Sequence, residues 1–90
     1  MLEVVFKNRF KKDLKKLKSS NRNEEELLFV IGKLANEESL EERFRDHGLI
    51  GDYVDCRECH VRPDWLLIYQ QTETELILVR TGSHSELFRK

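Results

Sequence analysis

The spacing of apolar residues changes once along this chain, near Glu42, and that change restricts the fold more than any other feature of the sequence. Ahead of it the intervals are helical. Phe10, Leu14 and Leu17 fall at i, i+4 and i+7, one face of a first helix that starts near Asn8. Ser19-Ser20-Asn21 ends that helix. Asn23 followed by Glu26 has the spacing of an N-cap with a helper carboxylate. Glu24, Glu25 and Glu26 fill a first turn where the helix dipole favours acids. Leu27, Leu28, Ile31, Leu34 and Ala35 form the buried face of this second helix. Behind Glu42 the pattern is one of strands and turns. Tyr53–Val61, Trp65–Tyr69 and Leu76–Thr81 read as strands, and Gln71–Glu75 as a polar turn. Arg62-Pro63-Asp64-Trp65 has proline at its second position, which suits a type I turn. Gly48 and Gly51 punctuate a loop that holds Asp46 and His47. With Leu2–Phe6 as a first strand, the order is β-α-α-β-β-β. That is an α+β domain of two helices packed on an antiparallel sheet, with residues 1–90 as a single unit.

This order brings polar residues together. A hairpin turning at Arg62–Trp65 puts His60 close to Asp64. A second hairpin centred near Glu73 sets Trp65 beside Thr81 and Asp64 beside Gly82, so His84 reaches the same end of the sheet. Arg80 lies one or two residues inside that cluster, whereas the position of His47 in its loop is not fixed by the hairpins. Imidazoles beside a carboxylate suit proton transfer near neutral pH. An adjacent arginine suits a phosphate that gains charge. Together these are the parts needed to cleave RNA without a metal. A competing reading is purely structural: Asp64 makes the turn and the histidines are incidental surface residues.

The bulk properties narrow the field. Ninety residues leave no room for separate cofactor and substrate domains. Charged residues make up 37% and hydrophobic ones 39%, the balance of a globular chain. No segment approaches the roughly 20 apolar residues of a membrane helix, and the N-terminus lacks the apolar stretch expected of a secretory signal. A cytoplasmic protein with two reduced cysteines is therefore expected. The net charge of −1 conceals a segregation. Residues 1–22 carry eight Lys and Arg against two acids, and residues 23–42 carry seven Glu against Lys33. Lys11, Lys12, Lys15 and Lys16 stand on a lysine-rich side of the first helix, which makes them candidates for contact with RNA phosphates; the competing reading is a solvated helix face.

The same residues carry a family resemblance. Asp46-His47, then Arg57-Glu58-Cys59-His60-Val61-Arg62-Pro63-Asp64-Trp65-Leu66-Leu67-Ile68-Tyr69, then Arg80-Thr81-Gly82-Ser83-His84-Ser85-Glu86-Leu87-Phe88 are similar to the YafQ branch of the RelE toxin family. Phe10-Lys11-Lys12-Asp13-Leu14 fits the family's first helix. The resemblance implies a RelE-like fold and an endoribonuclease, an mRNA interferase, that acts on translated messenger RNA in the ribosomal A site. It implies a small antitoxin as partner and no cofactor. Matched residue by residue, it assigns active-site roles to His47, His60, Asp64, His84 and Phe88, with Trp65 and Arg80 as substrate-binding positions near them. His84 is expected as the general acid; the base is His47, His60 or Asp64. The related ParE proteins share the fold but poison DNA gyrase. A non-nucleolytic toxin of that kind, or a degenerate antitoxin-binding module, is the competing function, and the histidine cluster argues against it.

Other motifs have weaker readings. Cys56-Arg57-Glu58-Cys59-His60 matches the C-x-x-C-H of haem attachment, but i and i+3 on a strand face opposite ways, so two packing thiols are expected instead. His47, His60 and His84 lack the close spacing of a metal site, and no metal is expected. Trp65 and Phe88 could stack on bases. Trp65 starts a buried strand and suits the core at least as well, whereas Phe88 lies beyond the last strand.

Overall fold

The computed structural model describes residues 1–88, apart from the side chain of Asp52. Strand β1 (Glu3–Phe6) leads into helices α1 (Asn8–Lys18) and α2 (Glu24–Ala35), followed by a 3₁₀ turn at Glu42–Phe44. Strand β2 (His47–Gly48), a second 3₁₀ turn (Gly51–Tyr53), strands β3 (Arg57–Arg62), β4 (Trp65–Gln71) and β5 (Glu75–Gly82) and helix α3 (His84–Phe88) complete the path. The five strands lie in the order β1-β5-β4-β3-β2. The α+β class and the meander of β3, β4 and β5 are as the sequence predicts.

Several details differ. β1 runs parallel to β5, with Glu3 opposite Glu75 and Phe6 opposite Leu78, so the sheet is mixed at this edge and antiparallel elsewhere. Parallel neighbours need a long crossover, and the intervening helices and strands supply it. The third strand starts only at Arg57, because Gly51 at φ +74° opens a turn closed by bonds from Val54 N–H to Gly51 and from Cys56 N–H to Tyr53. The loop before it contributes β2, which sets His47 opposite Glu58. Helix α2 is rotated from its expected face: Val30 is buried and Leu28 is 55% exposed. Leu27, Val30, Ile31 and Leu34 then follow the i, i+3, i+4, i+7 stripe that one face of a helix can bury. Asn23 caps α2 through a bond from Glu25 N–H, whereas Glu26 turns outward to Arg62 at 2.6 Å.

The two helices cover one face of the sheet. Phe10, Leu17, Leu27, Val30, Cys59, Val61, Trp65, Leu67, Tyr69, Leu76 and Leu78 form the core between them. The opposite face carries Leu66 and Ile68, packed by Leu49, Tyr53, Cys56, Leu87 and Phe88 from the 49–56 loop and α3. Cys56 and Cys59 thus serve opposite faces, as their spacing predicts, and burial pushes both thiols up in pKa, away from the reactive thiolate.

A bulge at Val79 shifts the β4–β5 register. Leu67 lies opposite Thr81 and Leu66 opposite Gly82, each two residues from a hairpin symmetric about Glu73, whereas Tyr69 opposite Leu78 is one residue from it. The extra residue also breaks the alternation along β5. Leu78 and Thr81, three apart, therefore both meet the helix side, Leu78 in the core and Thr81 through a hydrogen bond from Trp65 Nε1 at 3.0 Å.

Candidate active site

Two adjacent turns build one corner of the open face. The two-residue turn Pro63-Asp64 follows β3, and Ser83 alone separates β5 from α3. At the second turn Ser83 and Glu86 cap each other: Glu86 Oε1 accepts Ser83 N–H at 2.7 Å and Ser83 Oγ accepts Glu86 N–H at 3.2 Å. That bond, with Arg22 beside it at 3.3 Å, holds the Glu86 carboxyl below its usual range. Gly82 is required here, because a Cβ at this position would lie 2.9 Å from Glu86 Oε1.

The cap presents His84 to Asp64. One carboxylate oxygen, Oδ1, accepts the backbone N–H of His84 at 3.0 Å and meets its Nδ1 at 2.6 Å. With Nδ1 protonated toward Asp64, Nε2 is the free position of the ring. The backbone bond, then the imidazole bond, hold the Asp64 carboxyl below its ordinary pKa. The anchor is therefore complete above the usual aspartate range and is lost only as pH falls through the lowered value. His84 is 52% exposed, so its free nitrogen meets solvent.

His60 stands next to it, with ring centroids 5.7 Å apart, and His47 lies 6.3 Å beyond His60. The convergence expected from the hairpins is present, and β2 adds His47 to it. Each of these two rings directs Nδ1 at a backbone carbonyl: Arg45 at 2.6 Å for His47, Pro63 at 3.3 Å for His60. Both then turn Nε2 toward Glu58 Oε2, at 3.3 and 3.4 Å. Asp46 steadies the approach to His47, accepting Tyr69 Oη–H at 2.6 Å and Arg57 Nε–H at 3.2 Å.

Glu58, 5% exposed, was not singled out from the sequence. The signal was available: it lies two residues before His60, hence on the same strand face. Asp13 was missed as well. It shares the helix face of Phe10 and Leu17, where a charge demands a partner, and Arg80 supplies one through Nε at 2.7 Å and Nη2 at 3.0 Å. Asp13 also accepts Thr81 N–H at 3.1 Å, and Thr81 bonds Leu66 O and Trp65 Nε1. This network ties together the strands that carry Asp64 and His84.

Trp65 and Arg80, expected at the substrate, are placed in the interior. Trp65 is 2% exposed with its indole N–H committed to Thr81, so neither ring face is open to a base. Arg80 has its guanidinium edge committed to Asp13, which raises its pKa further. Both support the corner from behind. Phe88 is half-buried one helical turn after His84, on the same side of α3, with its ring edge-on to Tyr53 at 6.0 Å. Lys11, Lys12, Lys15 and Lys16 are all exposed on α1. Among the described residues no group of three or more His, Cys, Asp or Glu side chains is arranged to hold a metal ion. The nearest approach is the pair of Nε2 atoms about Glu58.

Known proteins share this architecture. A family model described as a bacterial toxin of type II toxin–antitoxin systems, YafQ, matches residues 2–89. The mRNA interferase toxin YafQ of Escherichia coli K12 is 32% identical over 87 residues, covering 96% of this chain and 95% of that protein. A metal-bound toxin from Helicobacter pylori superimposes with a TM-score of 0.91 at 47% identity, covering 98% of this chain and all of the other. YafQ in the Escherichia coli DinJ–YafQ complex superimposes with a TM-score of 0.90 at 31% identity, covering 98% and 99%. The mixed sheet with two helices on one face and a histidine–carboxylate corner on the other is thus the RelE-like toxin fold. Within that class, this chain belongs to the YafQ family of type II toxins.

Proposed function

We propose that the chain is an endoribonuclease, an mRNA interferase, that cuts translated messenger RNA in the ribosomal A site by acid–base catalysis without a metal. The observation that carries this is His84, fixed by Asp64 through Nδ1, with its ring centroid 5.7 Å from that of a second imidazole. Its relatives support the activity, since an mRNA interferase and a YafQ in a toxin–antitoxin complex are among them. The proposed partners are a cognate antitoxin, the ribosome and messenger RNA, and the proposed place of action is the cytoplasm.

The chemistry follows from the tautomers. One of the two Nε2 atoms facing Glu58 takes the proton from a ribose 2′-OH. The 2′ oxygen attacks the adjacent phosphorus, the bond from phosphorus to the 5′ oxygen breaks, and His84, in the form protonated on both ring nitrogens with Nδ1–H held by Asp64, gives its Nε2 proton to that leaving oxygen. The products are a 2′,3′-cyclic phosphate and a 5′-hydroxyl. Asp64 is engaged by His84, which leaves the base to His47 or His60, whose Nε2 atoms lie 3.3 and 3.4 Å from the Glu58 carboxylate. Phe88, one helical turn from His84 on α3, is the proposed stacking partner for a base.

The test adds the toxin, stripped of metal beforehand, to translating ribosomes in magnesium-containing buffer. Cleavage of the message at the rate of untreated toxin is expected. Loss that only zinc or another transition metal restores would replace the acid–base reading with a metal centre at the histidines. No cleavage under either condition would favour a non-nucleolytic toxin.

The lysines of α1 give a second expectation. Changing Lys11, Lys12, Lys15 and Lys16 to Gln should weaken ribosome association and flatten its salt dependence, since each phosphate contact lowers log K by about 0.7–0.9 per decade of salt. Unchanged affinity and slope in sedimentation binding assays would make them a solvated face.

A further inference from the structure

A groove of about 550 Å³ opens from His60 and runs between the 3₁₀ turn at Glu42–Phe44 and the first turn of α2. Its size falls in the range of about 300–1,000 Å³ that holds a small ligand. Arg43, Arg45 and Arg62 line it, and Glu26 is the acid among them. Arg62 is paired with Glu26 at 2.6 Å and Arg43 with Glu41 at 3.5 Å, both pairs largely in solvent. Exposed pairs of this kind contribute little, so an incoming phosphate can compete for the arginines. Arg45 has no ion-pair partner among the described residues. Its backbone is left-handed (φ +47°, ψ +47°), and its carbonyl meets His47 Nδ1 at 2.6 Å. The groove and the catalytic corner are therefore joined at Arg45 as well as at His60.

The groove also offers a flat platform. The Arg43 guanidinium lies 4.4 Å from the centre of the Phe44 ring, which is itself buried. The Arg43 side chain is 69% exposed, so its planar guanidinium is open to an unpaired RNA base, which proteins stack on such planes. Beyond Arg43 a second hollow of about 260 Å³ continues past Phe44 and Val61 to Phe29, whose ring is 52% exposed. Cationic rim, planar platform and exposed aromatic follow one another away from His60.

We propose that this groove is the subsite for the messenger nucleotide next to the cleaved linkage, its phosphate met by Arg45 and Arg62 and its base laid on Arg43. The assignment rests on the endoribonuclease reading above and extends it to substrate positioning. Continuity with His60 and the positive rim favour single-stranded RNA over a protein segment as the occupant.

The test uses a hexanucleotide RNA with 2′-O-methyl groups, which cannot be cleaved, titrated into the full chain and followed by NMR. Backbone signals of residues 29, 43–45 and 61–62 should shift. Arg43→Gln with Arg45→Gln should weaken binding by roughly tenfold, in line with the loss of a stacked base. The salt slope should fall by about 0.7 for the phosphate contact removed. Arg43→Lys keeps the charge but loses the plane, so it should restore only part of the affinity. In single-turnover cleavage of ribosome-bound message, the double variant should need more toxin for half-maximal rate, while the rate at saturation falls less than the rate lost with His84→Ala. Shifts confined to other surfaces, or unchanged hexanucleotide affinity in the double variant, overturn the subsite. If the double variant instead loses its antitoxin in co-purification with RNA binding intact, the groove seats the antitoxin and the proposal falls. Absence of any cleavage by the wild-type protein would be a failure of the endoribonuclease reading, and the hexanucleotide titration separates the two.

Discussion

His84→Ala should abolish cleavage of ribosome-bound messenger RNA and relieve the growth arrest caused by expression without the antitoxin. A positioned acid or base contributes about 10²–10⁴-fold in rate, so a loss of that size is expected. The fold should persist. The residue is half exposed, and its backbone N–H still reaches Asp64 Oδ1 at 3.0 Å when the imidazole is gone. The capping pair of Ser83 and Glu86 is likewise untouched. Circular dichroism and antitoxin co-purification should match wild type, which separates lost chemistry from lost structure. His60→Ala and Asp64→Ala should also impair cleavage, the latter by freeing the His84 ring. Cys56→Ser and Cys59→Ser should leave the rate nearly intact, because burial keeps both as unreactive thiols. A His84→Ala protein that cleaves at the wild-type rate and stays toxic would remove the catalytic assignment and favour a non-nucleolytic toxin.

Asp13→Ala should cause the largest loss of stability. It leaves Arg80, 9% exposed, without the carboxylate that accepts both its Nε–H and its Nη2–H, and deprives Thr81 N–H of its acceptor. Breaking a buried pair by removing one partner typically costs about 3–5 kcal/mol, a large part of the roughly 5–15 kcal/mol that holds a domain folded. Replacing both members by apolar residues, Asp13→Leu with Arg80→Met, should cost much less, since no charge is then stranded. Urea unfolding of the single and double variants measures the coupling directly. A loss below about 1 kcal/mol for Asp13→Ala would put the pair in the class of surface salt bridges. Because Thr81 links this pair to Trp65 and the end of β4, partial unfolding here should also disturb the Asp64–His84 corner.

The corner was legible in the sequence because two turns are enough to place it. Proline at Arg62–Trp65 and the polar stretch after Gln71 fix which ends of β3, β4 and β5 coincide, and a slip of one or two residues at the Val79 bulge leaves His60, Asp64 and His84 together. Features that depend on distant partners were not legible. Asp13 and Arg80 are 67 residues apart, and the parallel pairing of β1 with β5 has no local turn to announce it. The face of α2 was ambiguous for another reason: five apolar residues in succession, Leu27 to Ile31, fit a stripe in more than one rotation, and only packing on the sheet selects Val30 over Leu28. Trp65 and Arg80 lie beside the corner but are buried, because adjacency along a strand does not say how far a side chain is covered.

The parallel strand β1 has a consequence for self-association. β5 is rich in aliphatic residues and lies between β4 and β1, whose four residues cover it from Glu75 to Leu78. The meander forms from neighbours in sequence, whereas β1 must return across 72 residues to reach its partner and so pays the greater loop-closure entropy. A molecule in which the meander is built but β1 has not docked carries an open apolar edge, the kind of template that recruits strands from other chains. Four residues remote from the histidines thus decide whether this edge is completed within one molecule or shared between several.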